Sequence, residues 1–176
     1  MRAGGARQQA VRDATPADAA VIAEIYNETV AARDATMDLE PRNADYFSGL
    51  IAGPGSREAF IVLESEAGLA GWGRIMAYSD RPGYRTACET AVYLRRAVRR
   101  RGYGSIIKQE LLRRCREFGY HHVVAKVYSD NRDSIEYNLR LGYEIVGVQR
   151  EIGWVNGRWQ DVTIMQLLLD GLPPPG

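Results

Sequence analysis

Cysteine, long apolar runs and net charge are all scarce in this sequence, and each shortage excludes a class of protein. The two cysteines, Cys88 and Cys115, cannot form a disulfide framework, and no C-x-x-C spacing typical of a zinc site occurs. No stretch approaches roughly 18 consecutive apolar residues, so no membrane span is expected. The net charge of +1 disfavours binding of nucleic acid through a broad basic surface. We therefore expect no metal, no membrane and no nucleic acid as partners.

The two ends of the chain are polar or rich in proline. The opening MRAGGARQQ lacks the apolar segment of a secretory signal, and the prolines of the closing GLPPPG cannot continue a helix or a strand. We expect flexible tails at 1–10 and 171–176, one domain at 11–170, and a cytoplasmic location.

The pattern of apolar residues predicts elements in the order β-α-α-β-β-β-α-β-α-β-β. A cap at Thr15 followed by Pro16 begins the first helix, and Pro41 is expected to begin the second. The strand–helix–strand order across 86–128 predicts a parallel pair, and the hairpins predict antiparallel neighbours. The expected fold is α/β (α+β), with a single mixed, mostly antiparallel sheet, a central parallel pair and helices on both faces. Strands are expected at 11–15, 59–65, 67–79, 86–94, 121–129, 143–155 and 159–169, and a short helix at 130–143.

A basic loop, RRAVRRRGYGS at 95–105, connects a predicted strand to a predicted helix. A helix N-terminus presents unpaired N–H groups and partial positive charge, and Gly102 and Gly104 let a ligand approach the backbone closely. The loop therefore predicts an anion site suited to a phosphate or pyrophosphate. It is neither a Walker loop, because no lysine follows Gly104, nor a Rossmann fingerprint, because Ile107 occupies the third glycine position. A solvated basic turn that caps the helix is the alternative.

The pattern R-x-x-G-x-G at Arg99–Gly104 resembles the acyl-CoA signature of the GNAT N-acetyltransferase superfamily. Three further segments, ETAVYL, SDNRDSIEYNLRLGYEIVG and GRWQDVTIMQL, are similar to the phosphinothricin and methionine sulfoximine acetyltransferases within it. The resemblance covers about residues 11–169. It implies a GNAT-like domain, acetyl-CoA as the co-substrate, a small-molecule amine as the acceptor, and a homodimer.

The resemblance also implies which residues bind coenzyme A. Backbone groups of the strand before the loop would pair with the pantetheine arm, and N–H groups of the loop would hold the pyrophosphate. Arg99, Arg100 or Arg96 would meet the 3′-phosphate. Asn131 would hydrogen-bond the pantetheine, with Ser134 nearby. The implied cofactor-binding residues are Val92, Tyr93, Leu94, Arg99, Arg100, Arg101, Gly102, Tyr103, Gly104, Ser105, Asn131 and Ser134.

Glu89 matches the glutamate that serves as general base in the resembling enzymes. An aliphatic amine is mostly protonated at about pH 7, so acetyl transfer needs a base that acts directly or through water. Alternation places Glu89 on the same strand face as Ala91 and Tyr93, away from Cys88 and Thr90. An ordinary surface glutamate is the alternative, but glutamate is depleted in strands and this one lies beside the predicted cofactor edge.

The resemblance places a proton donor for the leaving thiolate four residues before Gly142, where this chain has Asn138. An amide can donate a hydrogen bond but cannot supply a proton at neutral pH. The adjacent Tyr137 is expected to point about 100° away around the helix. Asn138 is therefore the second catalytic candidate, with a backbone N–H near Val92 or Tyr93 for the oxyanion.

The acceptor pocket is expected among the loop at 80–85, the strand before it and the first helices. An arginine there can fork onto the carboxylate of an amino acid, although a solvated arginine is the alternative. The segment 31–40 departs most from the family, because it lacks the expected aromatic residue. The candidate substrate-binding residues are Arg81, Tyr84, Arg74, Thr90 and Ala91.

The sequence is compatible with three functions. The expected one is an acetyl-CoA-dependent N-acetyltransferase that acts on the primary amine of a small amino-acid-like substrate of the phosphinothricin or methionine sulfoximine type. The alternatives are a GNAT-type acetyltransferase of protein N-termini or lysines, and a non-catalytic module that binds coenzyme A or nucleic acid. A wide surface groove would favour the second function, and salt-sensitive DNA binding would favour the third. Glu89 and the near-neutral charge favour the first.

Overall fold

The computed structural model describes residues 10–171, in which four α-helices and a seven-stranded sheet follow the predicted order. The tails predicted at 1–10 and 171–176 lie outside the described residues except for Ala10, which belongs to the first strand, and Gly171. Within residues 10–171, no helix is long and apolar enough to cross a membrane. The helices are α1 (Ala19–Ala32), α2 (Ala44–Ala52), α3 (Tyr103–Glu117) and α4 (Arg132–Arg140). The strands are β1 (Ala10–Asp13), β2 (Ala59–Ser65), β3 (Gly68–Ala77), β4 (Ala87–Leu94), β5 (His122–Tyr128), β6 (Glu144–Val155) and β7 (Arg158–Leu168).

The strands form one sheet in the order β1-β2-β3-β4-β5-β7-β6. Within residues 10–171, β4 and β5 pair in parallel, and every other neighbouring pair is antiparallel. The turn at Asn156–Gly157 connects β6 and β7, as the sequence predicted. The predicted mixed sheet with a central parallel pair is therefore confirmed.

Helices cover both faces of the sheet and enclose two cores. On one face, α3 packs on a core that includes Ile61 and Leu63 of β2, with part of α4 at its edge. On the other face, α1 and α2 pack on Phe60, Val62 and the fully enclosed ring of Trp72. The alternation of side chains along β2 sorts neighbouring residues between the two cores.

Helix α3 lies directly on β3 because two strand residues have no side chain. A Cβ on Gly73 would lie 2.5 Å from Ile107 Cγ2 and 2.8 Å from Leu111 Cδ1, and one on Gly71 would lie 3.2 Å from Ile107 Cδ1. Carbon atoms that are not bonded prefer separations of about 3.5–4.0 Å, so side chains at these positions would push the helix away. These glycines therefore fix how closely the N-terminus of α3 approaches the end of β4.

Two helix starts differ from the sequence prediction. Asn43 caps α2 through its side-chain oxygen, which accepts a backbone N–H at 3.0 Å, so Pro41 lies outside the helix. Pro16 begins a short 3-10 turn that precedes α1. The carboxylate of Asp18 accepts the N–H of Thr15 at 2.8 Å, as the predicted capping box requires.

Asp18 is also held by Arg12, and the two form a charged junction between β1 and α1. Arg12 donates to both carboxylate oxygens, at 2.8 and 2.9 Å. These hydrogen bonds, together with those from Thr15, lower the pKa of Asp18 from 3.8 to about 2. Because the folded pKa is depressed, the ionised carboxylate stabilises the fold above pH 3.8, and this contribution is lost as the pH falls through about 2.

Replacing Asp18 by Asn should lower the free energy of unfolding by about 1–2 kcal/mol at neutral pH, because the cap weakens and the ion pair is lost. The difference from wild type should shrink below pH 3.8 and disappear once the pH has fallen below about 2, where the wild-type carboxylate is itself mostly protonated. Urea denaturation across this range measures it. Asp80→Asn, at an exposed position, is the control and should change little. A difference in the free energy of unfolding that is equally large at both ends of the pH range would contradict the prediction.

Candidate active site

Strands β4 and β5 pair over a short stretch and then separate. Their parallel register ends where Glu89 lies opposite Val124. Beyond this point β4 keeps β3 on one side but has no strand on the other among residues 10–171, whereas β5 stays paired with β7. Backbone N–H and C=O groups along 90–94 are therefore left without a sheet partner on that side.

Two cavities meet at this split. The α3 cavity, of ≈ 620 Å³, lies between the free edge of β4, the N-terminus of α3 and helix α4. The β7 cavity, of ≈ 980 Å³, is walled by the segment after α1, by a 3-10 turn at Pro82–Tyr84 and by β5, β6 and β7. Glu89 is the carboxylate common to both. The residues that line both cavities are Ala35, Glu89, Tyr93, Lys126, Val127 and Tyr128.

Glu89 forms an ion pair at the junction. Its Oε2 lies 2.7 Å from Lys126 Nζ, and the two side chains are 24% and 47% exposed. Cys88 and Thr90 are buried on the opposite strand face, as alternation predicted, while Tyr93 faces the same way as Glu89. The sequence analysis missed Lys126, although a lysine that interrupts the apolar strand HVVAKVYS is a recognisable signal.

The start of the arginine loop is bound to α1 and the segment after it by ion pairs. Arg95 lies 2.9 Å from Glu24 and 3.3 Å from Glu28, and the N–H of Arg96 donates to Glu28 at 2.7 Å. The guanidinium of Arg96 lies 2.6 Å from Asp34. Much of the positive charge of the loop is thus neutralised by this chain's own carboxylates, which no sequence pattern had indicated.

The remaining arginines of the loop differ in their placement. Arg99 and Arg100 line the α3 cavity, and each already pairs with an aspartate, at 3.3 and 2.7 Å. Among the described residues, Arg101 and Tyr103 are not part of the cavity wall, and the ring of Tyr103 packs against the α3 core. The predicted role of these two residues in cofactor binding therefore depends on their backbone.

The loop ends in a helix start that is open to an anion. Gly102 is the N-cap of α3 with φ 83°, a conformation that costs little only for glycine. Ser105 and Ile106 already donate their N–H groups to Gly102 O, at 3.0 and 3.3 Å. The Ser105 N–H is therefore engaged within the start of the helix, and the donors available to an anion precede it. The Ser105 residue itself lines the α3 cavity together with Gly104.

Helix α4 contributes two asparagines to the α3 cavity. Asn131 caps the helix, because its Oδ1 accepts the Ser134 N–H at 3.1 Å, and its amide nitrogen is the group left for a ligand. Asn138 is 3% exposed and donates through Nδ2 to Ser134 O at 2.8 Å. Its Oδ1 is buried and has no hydrogen-bond partner within residues 10–171. An amide that donates to its own helix is poorly suited to assist a leaving group.

Tyr137 lines the same cavity, so the prediction that it points away is wrong. Its Oη donates to Gly104 O at 2.6 Å, which links α4 to the start of α3. The tyrosine side chain is long enough to extend along the helix and reach the cavity from its own face. Burial raises the pKa of Tyr137, so its hydroxyl stays protonated.

The predicted substrate-binding residues are distributed over three places. Tyr84 lines the β7 cavity, where its ring centroid lies 5.4 Å from that of Tyr78. Among the described residues, Arg74 and Arg81 line neither cavity, and Arg74 lies 4.0 Å from Glu58. These two arginines belong to β3 and to the loop after it, outside the split between β4 and β5.

Thr90 and Ala91 line the α3 cavity, and so lie away from the expected acceptor side. Thr90 Oγ1 accepts a hydrogen bond of 2.7 Å from Lys108 Nζ. Lys108 is buried and was not predicted as a site residue, although a lysine four residues before Leu112 and seven before Cys115 stands on the apolar stripe of α3.

Within residues 10–171, no group of three or more His, Cys, Asp or Glu side chains could hold a metal ion.

The segment after α1 forms one wall of the β7 cavity. Tyr26 Oη and Thr36 Oγ1 lie 2.7 Å apart, and the hydroxyl of Tyr128 donates to Thr36 O. Met37 Sδ lies 3.4 Å from Tyr128 Oη and rests on Gly153 of β6, where a Cβ would be 2.5 Å from the sulfur. Neighbouring elements thus supply the aromatic residues that this segment lacks.

A mixed sheet that splits beside a glycine-capped helix, with a carboxylate between two cavities, is the arrangement of a GNAT acetyltransferase. The family model for the acetyltransferase (GNAT) domain matches residues 11–164. The chain therefore belongs to the GNAT family and is an N-acetyltransferase.

Two relatives and one solved structure are similar to most of the chain. The chain is 36% identical over 172 residues to the L-methionine sulfoximine/L-methionine sulfone acetyltransferase of Pseudomonas paraeruginosa, with 91% of this chain and 94% of the relative covered. It is 32% identical over 170 residues to an L-amino acid N-acyltransferase of Escherichia coli, with 94% and 96% covered. The structure of a phosphinothricin acetyltransferase from Sinorhizobium meliloti in complex with acetyl-CoA superposes with a TM-score of 0.86 at 29% identity, covering 92% of this chain and 88% of that one.

Proposed function

We propose that this enzyme transfers the acetyl group of acetyl-CoA to the primary amine of a small amino-acid-like substrate, of the phosphinothricin or methionine sulfoximine type. Glu89 acts as the general base. The observation that carries the proposal is the position of Glu89 where the α3 cavity meets the β7 cavity. A carboxylate there can touch a molecule in either space. We also propose that the enzyme works in the cytoplasm, where its free thiols would stay reduced.

The α3 cavity suits coenzyme A. The free edge at Val92–Leu94 can pair with the amides of the pantetheine arm as an added strand would. The N–H groups ahead of Ser105, with the positive end of the helix dipole, suit a pyrophosphate. Arg99 or Arg100 can meet the 3′-phosphate by exchanging its aspartate partner, and the amide of Asn131 can donate to the pantetheine.

The β7 cavity suits an acceptor that carries both an amine and a carboxylate. In this proposal Glu89 binds the ammonium group and Lys126 binds the carboxylate, which replaces the ion pair that the two side chains make with each other. Tyr84 lies on the wall where the acceptor's side chain would rest. Lys126 thus takes the role that the sequence analysis had given to Arg74 and Arg81.

The chemistry follows from this placement. Glu89 takes a proton from the acceptor's ammonium group, directly or through water, and the free amine attacks the thioester carbonyl carbon. Charge develops on the carbonyl oxygen, and a backbone N–H of Val92 or Tyr93 stabilises it. The attacking nitrogen gives up its second proton once the C–N bond has formed, again to Glu89 after this carboxylate has passed its first proton to solvent. Breaking the C–S bond then yields the amide product and a thiolate, which must gain a proton.

An apolar surface on the outer hairpin supports a homodimer. Six large side chains of β6 and β7 are each more than half exposed, which is typical of a surface that another protein covers. We propose that a second copy of this chain covers it. The six residues are Ile145, Val146, Val148, Ile152, Trp154 and Trp159, of which Val146 and Ile152 also line the β7 cavity.

Glu89→Gln should lower kcat by about 10²–10⁴ with unchanged acetyl-CoA affinity, because an amide keeps the shape but cannot accept the proton. Thiol release from acetyl-CoA measures turnover on phosphinothricin, methionine sulfoximine, methionine sulfone, common amino acids and short peptides. Glu144→Gln, an exposed strand glutamate, is the matched control. Wild-type turnover by Glu89→Gln would refute the base assignment. Turnover of peptides alone would favour the protein-modifying alternative.

Lys126→Met should raise KM for amino-acid acceptors by about 10–100-fold, the cost of losing a charge-assisted hydrogen bond. The diagnostic comparison pairs each acceptor with its carboxamide analogue. Wild type should prefer the carboxylate, and the variant should accept both equally well. A variant that still prefers the carboxylate by the wild-type ratio would show that another group binds it.

Trp154→Glu should convert the dimer to a monomer, because a charge in a covered apolar surface is strongly unfavourable. Size-exclusion chromatography with light scattering measures the mass of each. Leu39→Glu changes an exposed apolar residue outside the hairpin and should leave the dimer intact. A wild-type protein that is monomeric at micromolar concentration would overturn the dimer proposal.

A further inference from the structure

The chain contains 23 lysine and arginine residues, but only two of them are lysines, and both line the α3 cavity. Lys126 pairs with Glu89. Lys108, on α3, is 3% exposed, and its Nζ donates to Thr90 Oγ1 at 2.7 Å and lies 4.7 Å from the centroid of the Tyr143 ring. Arginine does not release its proton in proteins, so these lysines are the basic side chains of the cavity that can do so.

Lys108 is an ammonium group buried without a carboxylate beside it. Within residues 10–171, it forms no ion pair, and its polar contacts are Thr90 and the face of Tyr143. Burying a charge without a countercharge is costly, and the same stripe of α3 carries Leu111 and Cys115, both fully buried. An apolar residue would therefore suit the fold better at this position. A charge held at the expense of stability is typical of a functional group.

The other groups of the cavity that could protonate a leaving thiolate are engaged, lack a suitable proton or, like the phenol of Tyr93, have a pKa that burial raises away from that of a thiol. Tyr137 donates its hydroxyl proton to Gly104 O at 2.6 Å. Asn138 has no titratable proton, and its buried Oδ1 is an acceptor. The ammonium of Lys126 is held by Glu89 in the free protein and by the acceptor's carboxylate in the proposed complex. Lys108 is the ionised donor that remains.

The surroundings of Lys108 suit it to this chemistry. Burial lowers its pKa to about 8, while Cys115, Cys88 and Glu89 act in the opposite direction. Tyr143 stays neutral, because burial raises its pKa. An alkyl thiol such as that of cysteine titrates near ≈ 8.5, in the same range as this lysine, and the lysine is mostly protonated at neutral pH.

We propose that Lys108 is the general acid of the transfer and donates a proton from Nζ to the sulfur of coenzyme A as the C–S bond breaks. This inference rests on the proposed acetyl transfer. The thioester loses its C–S bond, the acceptor nitrogen gains a C–N bond, and the electron pair left on sulfur takes the proton. From ammonium to amide the acceptor nitrogen loses two protons: Glu89 takes the first before the attack and passes it to solvent, and it takes and passes on the second in the same way once the C–N bond has formed. Neutral Lys108 regains one proton from solvent, so each turnover releases one proton.

The first test is the ionisation of bound coenzyme A, which does not depend on turnover. The ammonium of Lys108 should lower the pKa of the bound thiol, as followed by the ultraviolet absorbance of the thiolate during a pH titration. In Lys108→Met, which keeps the length and removes the charge, the thiol should titrate near the pKa of free coenzyme A measured in the same buffers. An identical thiol titration in the two proteins would overturn the proposal.

The second test is the pH dependence of kcat. Wild-type kcat should fall as the pH rises through about 8, because the acid must be protonated. Lys108→Met should lower kcat by about 10²–10⁴ and lose this alkaline decline. Arg116→Met removes an exposed cation from the same helix and is the matched control. A lower kcat with the wild-type pH profile would mean a structural role and would overturn the assignment.

A third measurement observes the lysine itself. Protein grown with ¹³C-labelled lysine should give two Cε signals, which Lys108→Met assigns, and one should titrate near pH 8 in the free enzyme. A Lys108 signal that titrates at an ordinary lysine pKa would contradict the proposal.

The outcomes separate this inference from the function on which it rests. If wild type acetylates an amine and Glu89→Gln does not, while Lys108→Met matches wild type, Lys108 is not the acid and the proposed function stands. If wild type neither binds coenzyme A nor releases thiol with any acceptor, the proposed function fails, and the Lys108 inference fails with it.

Discussion

The separation of two parallel strands after a short stretch of pairing is the constraint on which the rest of this structure depends. Past Glu89, β4 loses its neighbour while β5 keeps β7, so the sheet opens without losing its continuity. An open edge inside a sheet is tolerated only if something satisfies its backbone groups, and here that edge lines a cavity. The split therefore creates the proposed binding surface and places the carboxylate of Glu89 at the point where the two strands separate.

Small residues then bring the second half of the site to the split. Gly71 and Gly73 allow α3 to lie on β3, and this brings the start of the helix, with its free N–H groups, to the end of β4. The hydroxyl of Tyr137 ties α4 to the same place through Gly104 O. The same closeness buries Lys108 against Thr90, so the close packing of α3 on the sheet accounts for both the proposed anion site and the buried charge of Lys108.

The parts of this structure that local patterns control were predictable from sequence. The order of elements, the mixed sheet, the Asn156–Gly157 turn and the strand face of Glu89 follow from periodicity and turn chemistry. What local patterns missed are contacts between distant segments. Arg96 pairs with Asp34 across 62 positions, and Lys126 meets Glu89 across a strand boundary, so neither partner identifies the other in the sequence. Tyr137 was mispredicted for a related reason. The prediction used only the angle of this residue around the helix, whereas its long side chain extends from that position to Gly104 O.

The contact between Met37 and Gly153 has a mechanical consequence. Met37 is part of the wall of the β7 cavity, and its sulfur packs against the backbone of β6 at Gly153. Strand β6 carries most of the exposed apolar surface. Any molecule that binds the outer face of the β6–β7 hairpin would also restrict the motion of this wall of the β7 cavity. The dimensions of the acceptor space would then be a property of the assembly, and a change on its outer surface would be felt inside as a change in which amines fit.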